Sequence, residues 1–538
     1  MDSTTPQPAI TAHEPIRVFD QAIKGKTLQE YLEATTESTG KQFGFPGDGG
    51  NVTYYSPQQI GWMAQGATKI YRDAGLPCEP QVIGLRARSS IEWVVSFLAL
   101  IRGGHTVLVL SPVMPLEKIA ILMQKAAVDI VIDGTKDWHS LGEKLEKNFI
   151  AIAPADKLTG KLEYDNDSYR QSWTHIRATD PAIIMPSSGS TGLPKLIPKT
   201  HIEVLTKLAA MPTRVLEWRY FVGSWMHYIG GIYCLLYTFA KDSPSVWPSE
   251  STSFDPKDYQ KILSHSAPDI AWFNPVVLKL ASSTEEGLEV LRRCKLVVTA
   301  GQVCPKQLGD NLVAAGVRLR NEYGMTELAV GLGSVPGDTD WEYLQPDPFS
   351  APHVEFRPLP RTEGSAQELY EFIVLPTHPT QNKALANDED GAFHAGDVFI
   401  KHPNKPLFKC LGRASDDFKI LHRGQLVWVN VVAYENCIMA ENDDILQEAV
   451  VFGNNRPYPG VLLFTKPGCR LAVGSVVERI WAAIQRDING KLPVDIRKSM
   501  ILVVPDFIMP RTGKGNFIRP EVYLRNESII QTAYDTDT

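Results

Sequence analysis

The sequence predicts an α/β protein with a large N-terminal body and a smaller C-terminal unit. Three observations carry this. Short apolar runs alternate with amphipathic stretches of helical spacing through the first 300 positions, a rhythm that implies parallel strands joined by right-handed crossovers. Residues 333–392 turn rich in Pro, Asp, Glu and Gly and read as short strands and loops. The run 401–413, opening Lys401-His402-Pro403-Asn404-Lys405-Pro406, then reads as a connector, and a segment with its own strand and helix patterns follows. The expected division is 1–412 and 413–538.

Ser56-Pro57 opens a helix, because Ser caps free N–H groups and Pro fits the first turn. Ile60, Met63, Ala67, Ile70 and Tyr71 follow at helical spacing, and Gly75 ends it. A strand is expected over Val82–Leu85, a helix over Ser90–Ile101 and a strand over Thr106–Leu110. A helix over Pro115–Ala127 and a strand over Asp129–Ile132 come next. The same rhythm returns at Ile270–Phe273 and Leu296–Thr299. No repeat of fixed period is visible.

Composition narrows the function classes. The 538 residues are 43% hydrophobic and 21% charged, which excludes a disordered, collagen-like or coiled-coil chain. A net charge of −7 offers no bulk attraction to phosphate polymers, so nucleic acid is not an expected partner. The seven cysteines include no CxxC or Cys/His cluster of zinc spacing and read as free thiols in a reducing compartment. The N-terminus lacks a secretory pattern. The apolar stretches around Trp93–Ile101 and Tyr228–Ala240 are too short or too broken by Gly to span a bilayer. A soluble cytoplasmic protein is expected.

Pro181–Met185 reads as a buried strand that runs into Ser187-Ser188-Gly189-Ser190-Thr191-Gly192-Leu193-Pro194-Lys195. Glycines let backbone N–H groups approach phosphate oxygens, hydroxyls donate, and lysine balances charge. The spacing is not GxxxxGK[ST], so this is not the loop of the P-loop NTPases.

That loop resembles the [ST]SG[ST]TGxPK motif of the adenylate-forming enzymes: acyl- and aryl-CoA ligases, luciferases and adenylation domains of non-ribosomal peptide synthetases. Other motifs of that superfamily follow in order. Asn321-Glu322-Tyr323-Gly324-Met325-Thr326-Glu327 resembles YGxTE, and His394-Ala395-Gly396-Asp397 resembles TGD with the Thr lost. Gly412-Arg413-Ala414-Ser415-Asp416-Asp417 resembles the GRxDD hinge, and Pro510-Arg511-Thr512-Gly513-Lys514-Gly515 the terminal lysine motif. Arg519, five residues after Lys514, is most similar to fungal synthetase-like adenylation domains.

The resemblance implies a large N-terminal domain of stacked α/β subdomains with a β-rich subdomain, and a small mobile α+β C-terminal domain. It implies ATP and Mg²⁺. Ser187, Ser188, Gly189, Ser190, Thr191, Gly192 and Lys195 would hold the β and γ phosphates. Glu327 would carry the metal and Thr326 bond the α-phosphate. Tyr323 would lie on the adenine face and Asn321 at its edge. Asp397 would take both ribose hydroxyls, and Arg413 would reach ribose and phosphate. Lys514 would be the mobile catalytic cation between carboxylate and α-phosphate. Asp416, or Ser415 if no residue is inserted, would be the hinge.

Three further stretches resemble the family's carboxylate pocket: Met226 to Gly231, Trp272 to Pro275, and Ala300-Gly301-Gln302, with Gly324 and Gly331 around YGxTE. His227 fits HxxG and would gate the carboxylate. Tyr228, Gly230, Phe273, Asn274, Ala300, Gly301, Gly324 and Gly331 complete the expected lining. Adenylation domains for α-amino acids commonly place an Asp near the start of the second stretch. Here stand Phe273 and Asn274, with Tyr228 after the His. A buried ammonium without a counter-charge costs several kcal/mol, so an aryl, aryl-keto or modest acyl acid is expected.

The acceptor stays open. Only 24 residues follow Lys514, too few for a carrier bundle. The thiol would be phosphopantetheine on a carrier protein encoded elsewhere or cut away, or else free coenzyme A. The fungal-like ending favours the carrier. A non-catalytic nucleotide-binding relative is the rival from another class, motivated by Ser415 and the HAGD variant. A nucleic-acid ligase would need a KxDG-type lysine, which is not found.

Overall fold

In the computed structural model the described residues are 26–537 apart from 41, 48–50, 115, 137, 159–174, 189–193, 211–216, 242, 249–255, 329–330, 360–367, 414–417, 423–424, 430, 506, 511–516 and 518. Two large sheets share one apolar core. The six-stranded sheet runs Asn148–Ala151, Ile130–Asp133, Val82–Arg86, Thr106–Leu110, Pro181–Ser188 and Pro194–Thr200. All its pairings are parallel except the last. The thirteen-stranded sheet has a parallel centre of Leu319–Tyr323, Leu296–Ala300, Ile270–Phe273, Tyr220–Gly223 and Ser245–Val246. Its antiparallel wing adds Leu332–Gly333, Tyr343–Pro346, Phe408–Arg413, Phe393–Lys401, Leu369–Val374 and Val354–Pro358.

The helices form where local chemistry asks for them. Pro57–Asp73 starts on a capping box in which Ser56 and Gln59 satisfy each other's N–H groups. It stops before Gly75, whose φ of +100° suits glycine. Ile91–Arg102, capped by Ser90, is apolar on nearly every face and buried along its length. That pattern marks a helix enclosed by other elements rather than a surface one. The main core joins both helices to strands of both sheets.

The run 401–413 is not a connector. Phe393–Lys401 and Phe408–Arg413 form an antiparallel pair in the sheet, with Asp397 opposite Arg413 and Lys401 opposite Phe408. The Pro- and Asn-rich stretch is their hairpin turn, closed by His402 Nδ1, which accepts from the N–H groups of Asn404 and Lys405 at 3.0 and 3.1 Å. Pro and Asn serve a tight turn and a linker alike, so composition does not separate the two.

Beyond it, a hairpin (Phe418–His422 and Gln425–Val429) precedes a sheet of Leu446–Phe452, Gly460–Thr465 and Ile501–Val504. Val431–Met439 and Val473–Asp487 pack on one side of that sheet. Arg519–Arg525 and Glu527–Thr536 pack on the other. The α/β expectation, with a large N-terminal and a small C-terminal part, matches this architecture. Among the described residues no helix is long and apolar enough to cross a membrane.

Candidate active site

Several of the motifs gather because they follow the carboxyl ends of parallel strands, whereas His394 to Asp397 lies within the antiparallel strand Phe393–Lys401. Tyr220–Gly223, Ile270–Phe273, Leu296–Ala300 and Leu319–Tyr323 are neighbours in one sheet. His227, Asn274, Gly301 and Gly324 therefore leave it along one rim. Pro181–Ser188 delivers the glycine-rich loop from the other sheet. Open α/β sheets bind ligands at such carboxyl ends.

The strands that flank the glycine-rich loop pair antiparallel. Ser187 lies opposite Lys195 and Ser188 opposite Pro194, after which the chain runs on as the strand to Thr200. Gly189, Ser190, Thr191 and Gly192 lie outside the described residues. Lys195 is exposed. Ser187 Oγ is buried with no hydrogen-bond partner among the described residues.

Glu327 is buried, and its Oε2 also has no partner among the described residues. A buried carboxylate oxygen left unbonded is costly. Hard oxygen donors of this kind suit Mg²⁺ shared with phosphates, so the residues present fit that ion. The Glu327 main chain is held by Lys199, whose buried ammonium donates to its carbonyl. Burial pulls the Lys199 pKa down to about 8, against the pull of Glu203 and Glu327. Thr326 is half-buried beside it.

Tyr323 and Asp397 are joined directly: the phenol donates to Asp397 Oδ2. The Tyr323 ring stands edge-on to Phe372 and Phe399 at 5.5 and 5.2 Å. Asp397 is the register partner of Arg413. Asn321 is fixed through its main chain, which donates to Ser334 Oγ at 2.9 Å and accepts from Ser334 N–H at 2.9 Å. His394, the residue before the Ala that stands at the Thr position of TGD, bridges Glu371 and Asp388 at 3.0 and 2.8 Å. Burial opposes charge on this ring, but the two carboxylates outweigh it and raise its pKa.

His227 is buried in an aromatic group. Its ring stacks on Trp225 at 5.9 Å and 8° and lies 4.6 Å from Tyr228. Tyr228 is the residue before the helix Ile229–Phe239. Gly231 lets this helix touch the preceding turn, since a Cβ there would sit 2.0 Å from the Trp225 carbonyl oxygen.

Two expected lining residues do other work. Phe273 is 1% exposed and packs with Phe221 and Tyr259 in a core on the opposite face of the sheet. It lies over Gly223, where a Cβ would be 2.5 Å from its ring. Because strand side chains alternate, the residue facing the shared core is Trp272. Asn274 caps the helix Pro275–Ala281, its Oδ1 accepting from Val277 N–H at 2.9 Å. Its amide N–H groups and one lone pair of Oδ1 remain for other partners.

Ala300 ends its strand, and nothing lies within 4 Å of a Cβ built on Gly301; Gly230 is nearly as open. Gly324 is exposed. Gly331 makes no room, because a Cβ there would meet Asp347 Oδ2 at 2.4 Å. Arg413 is placed by its backbone alone. Ser415, Asp416 and Lys514 lie outside the described residues.

Lys199 was missed from sequence, while Trp272 and Gln302 stood inside the expected pocket stretches but were left out of the expected lining. Trp272 carries a buried indole N–H, and Gln302 a buried Oε1, without partners among the described residues. Lys199 had a usable signal. It is two residues beyond the buried Ile197, so the period of two turns it inward.

Comparison with known proteins bears on this geometry. A family model described as AMP-binding enzyme matches residues 73–360, and one described as AMP-binding enzyme C-terminal domain matches 416–538. An adenylate-forming reductase of Serpula lacrymans var. lacrymans is 28% identical over 67% of this chain and 34% of its own length. The adenylate-forming reductase stbB of Stachybotrys bisbyi is 26% identical over 84% of this chain and 43% of its own. The chain thus spans well under half the length of these curated relatives.

Among solved structures, an anthranilate CoA ligase in complex with anthranoyl-AMP aligns at TM-score 0.59 and 18% identity over 95% of this chain and 98% of that one. The adenylation domain of a keto acid-selecting synthetase module, bound to a keto acyl adenylate, aligns at 0.60 and 15% over 89% and 98%. At these identities the likeness is one of fold.

Proposed function

Because this chain belongs to the AMP-binding enzyme family, we propose that it activates a carboxylic acid with ATP and hands the acyl group to a thiol. A carboxylate oxygen attacks the α-phosphorus, the bond to the β-phosphate oxygen breaks, and pyrophosphate leaves. The thiolate then attacks the acyl carbonyl carbon, its bond to the AMP oxygen breaks, and AMP leaves. The observation that carries this reading is Glu327, a buried carboxylate with an unbonded oxygen, anchored through Lys199 to the strand that leaves the hydroxyl, glycine and lysine loop.

Each residue has a part in the first half. The Ser187–Lys195 loop takes the β and γ phosphates, with Thr326 on the α-phosphate. Tyr323 and Asn321 hold adenine, and Asp397 and Arg413 the ribose. Glu327 would hold Mg²⁺, which when bound supplies charge neutralisation on the phosphates. Lys514 brings positive charge to the carboxylate and α-phosphate as they meet. We place the division at 412/413 and the hinge at Asp416, so that residues 413–538 move between the two half-reactions.

For the substrate, the aromatic group of Trp225, His227 and Tyr228, with Trp272 on the same rim, favours a flat or short acyl body. Neither Tyr228 nor Asn274 offers a carboxylate to an ammonium. The anthranoyl and keto acyl adenylates named for the two solved neighbours agree with an aryl or keto acid. For the acceptor, we favour a carrier-bound phosphopantetheine over coenzyme A, in keeping with the reductase relatives, which are more than twice as long as the stretch they share with this chain.

Pyrophosphate exchange on a panel of aryl, keto, acyl and amino acids tests this. Exchange with an aryl or keto acid is expected. No exchange with any acid would favour the non-catalytic relative. Adding coenzyme A or a holo-carrier and weighing the thioester by mass decides the acceptor.

A further inference from the structure

We propose that Lys199 is a positioning residue that sets the carboxylate of Glu327 for its cation. The inference rests on the reading of Glu327 as the metal-holding residue. Lys199 is 1% exposed, four residues beyond Lys195 on the strand that leaves the glycine-rich loop. An ammonium so buried must be bonded and balanced, and both needs are met, by the distant Glu327 turn and by Glu203 close by in sequence. Its Nζ donates to the carbonyl of Glu327, 128 positions away, and the carboxylates of Glu203 and Glu327 act on its charge. Glu203 is itself held, accepting from the N–H and hydroxyl of Thr200 at 2.7 and 2.9 Å.

The contact is one corner of a clamp. The next carbonyl, that of Leu328, accepts from Thr380 Oγ1 at 3.0 Å. Asn382 Nδ2, two residues on, reaches back to the carbonyl of Pro198 at 3.4 Å. The turn carrying Thr326 and Glu327 is thus tied at successive carbonyls to the phosphate-loop strand and to the 378–382 segment. The backbone is held while the Glu327 Oε2 keeps no bond from the described residues, which leaves that oxygen to a cation. Preorganisation of this kind lowers the ordering cost of binding. An apolar residue at 199 would fill the space but leave the Glu327 carbonyl unbonded and the two carboxylates without a buried cation.

The test is Mn²⁺ affinity, read by electron paramagnetic resonance on the full chain with a non-hydrolysable ATP analogue present. Melting temperature and the KM for the acid are measured alongside. Lys199→Met is expected to weaken Mn²⁺ about tenfold with the acid KM unchanged, and Lys199→Arg, which keeps donor and charge, to stay within about threefold of wild type. If the Met variant does not fold, Lys199→Gln, a neutral donor of shorter reach, should lose about threefold or more. A lower melting temperature with wild-type Mn²⁺ affinity in the folded variant would overturn the proposal. Glu327→Gln separates the premises. If it weakens Mn²⁺ while the Lys199 variants do not, the positioning role alone falls. If it leaves Mn²⁺ unchanged, the metal reading and the proposal fall together.

Discussion

The Tyr323 hydroxyl donates to Asp397 Oδ2, so the residue assigned to adenine and the residue assigned to ribose form one unit. They come from Leu319–Tyr323 and Phe393–Lys401, strands that are not adjacent in the sheet. A phenol on one oxygen orients the carboxylate, and an ionised carboxylate has lone pairs for further donors.

Tyr323→Phe keeps the ring and removes this bond. A hydrogen bond to a charged group contributes about 1.5–3 kcal/mol, so the KM for ATP should rise at least tenfold with the acid KM unchanged. Steady-state pyrophosphate exchange checks it; an unaltered ATP KM would show that Asp397 needs no help from Tyr323.

Asn274→Ala removes a helix cap and should cost about 1 kcal/mol of stability, without changing the ranking of acids. Asn274→Asp retains the acceptor and adds favourable charge at a helix N-terminus, so its denaturation midpoint should stay at or above wild type. A changed acid ranking in the Ala variant would return Asn274 to the substrate pocket.

Gly231→Ala sets two effects against each other. Helix propensity favours Ala by about 1 kcal/mol. The new Cβ, however, would lie 2.0 Å from the Trp225 carbonyl oxygen and 3.0 Å from Met226 Cα. These are backbone atoms and yield little, so overpacking, at about 1–3 kcal/mol, wins. The variant should be destabilised and lose roughly tenfold or more in kcat/KM for the acid, because the displaced turn carries Trp225 and His227. Equal stability and activity would show that the turn relaxes freely.

Acid should destabilise the fold through His105 and His201. Both are buried, accepting from the N–H groups of Gln81 and Leu28 at 3.3 and 3.1 Å. Burial lowers both to about 4 from 6.5. Between those values the unfolded chain binds the proton and the folded one does not. Stability therefore falls as pH drops from 6.5 to 4, by up to about 1.4 kcal/mol per pH unit for each ring. Urea midpoints across that range check it. His105→Gln should flatten the dependence by one ring's share, and an unchanged slope would count against the assignment.

Much of the frame was legible in sequence because it rests on local chemistry. Ser56 and Ser90 mark helix starts by hydrogen bonds within three residues, and Ile270–Phe273 is a strand by its apolar run. The motif order placed Glu327, Tyr323 and Asp397 without knowledge of their contacts. The turn at 402–406 and the side chain of Phe273 were misread for one reason: both depend on a neighbouring strand. A turn differs from a linker only if its flanks pair, and a strand residue faces a pocket only if the register turns it there.

By itself the sequence determined the α/β class, the helix caps and the order of the site's motifs, since capping, periodicity and glycine-rich spacing act over a few residues. Only the tertiary structure decided that Tyr323 bonds Asp397, that Lys199 holds Glu327 and that Trp272 rather than Phe273 faces the shared core. Those outcomes join residues up to 128 positions apart. They are set by which strands lie side by side, and by the need of each buried polar atom for a partner.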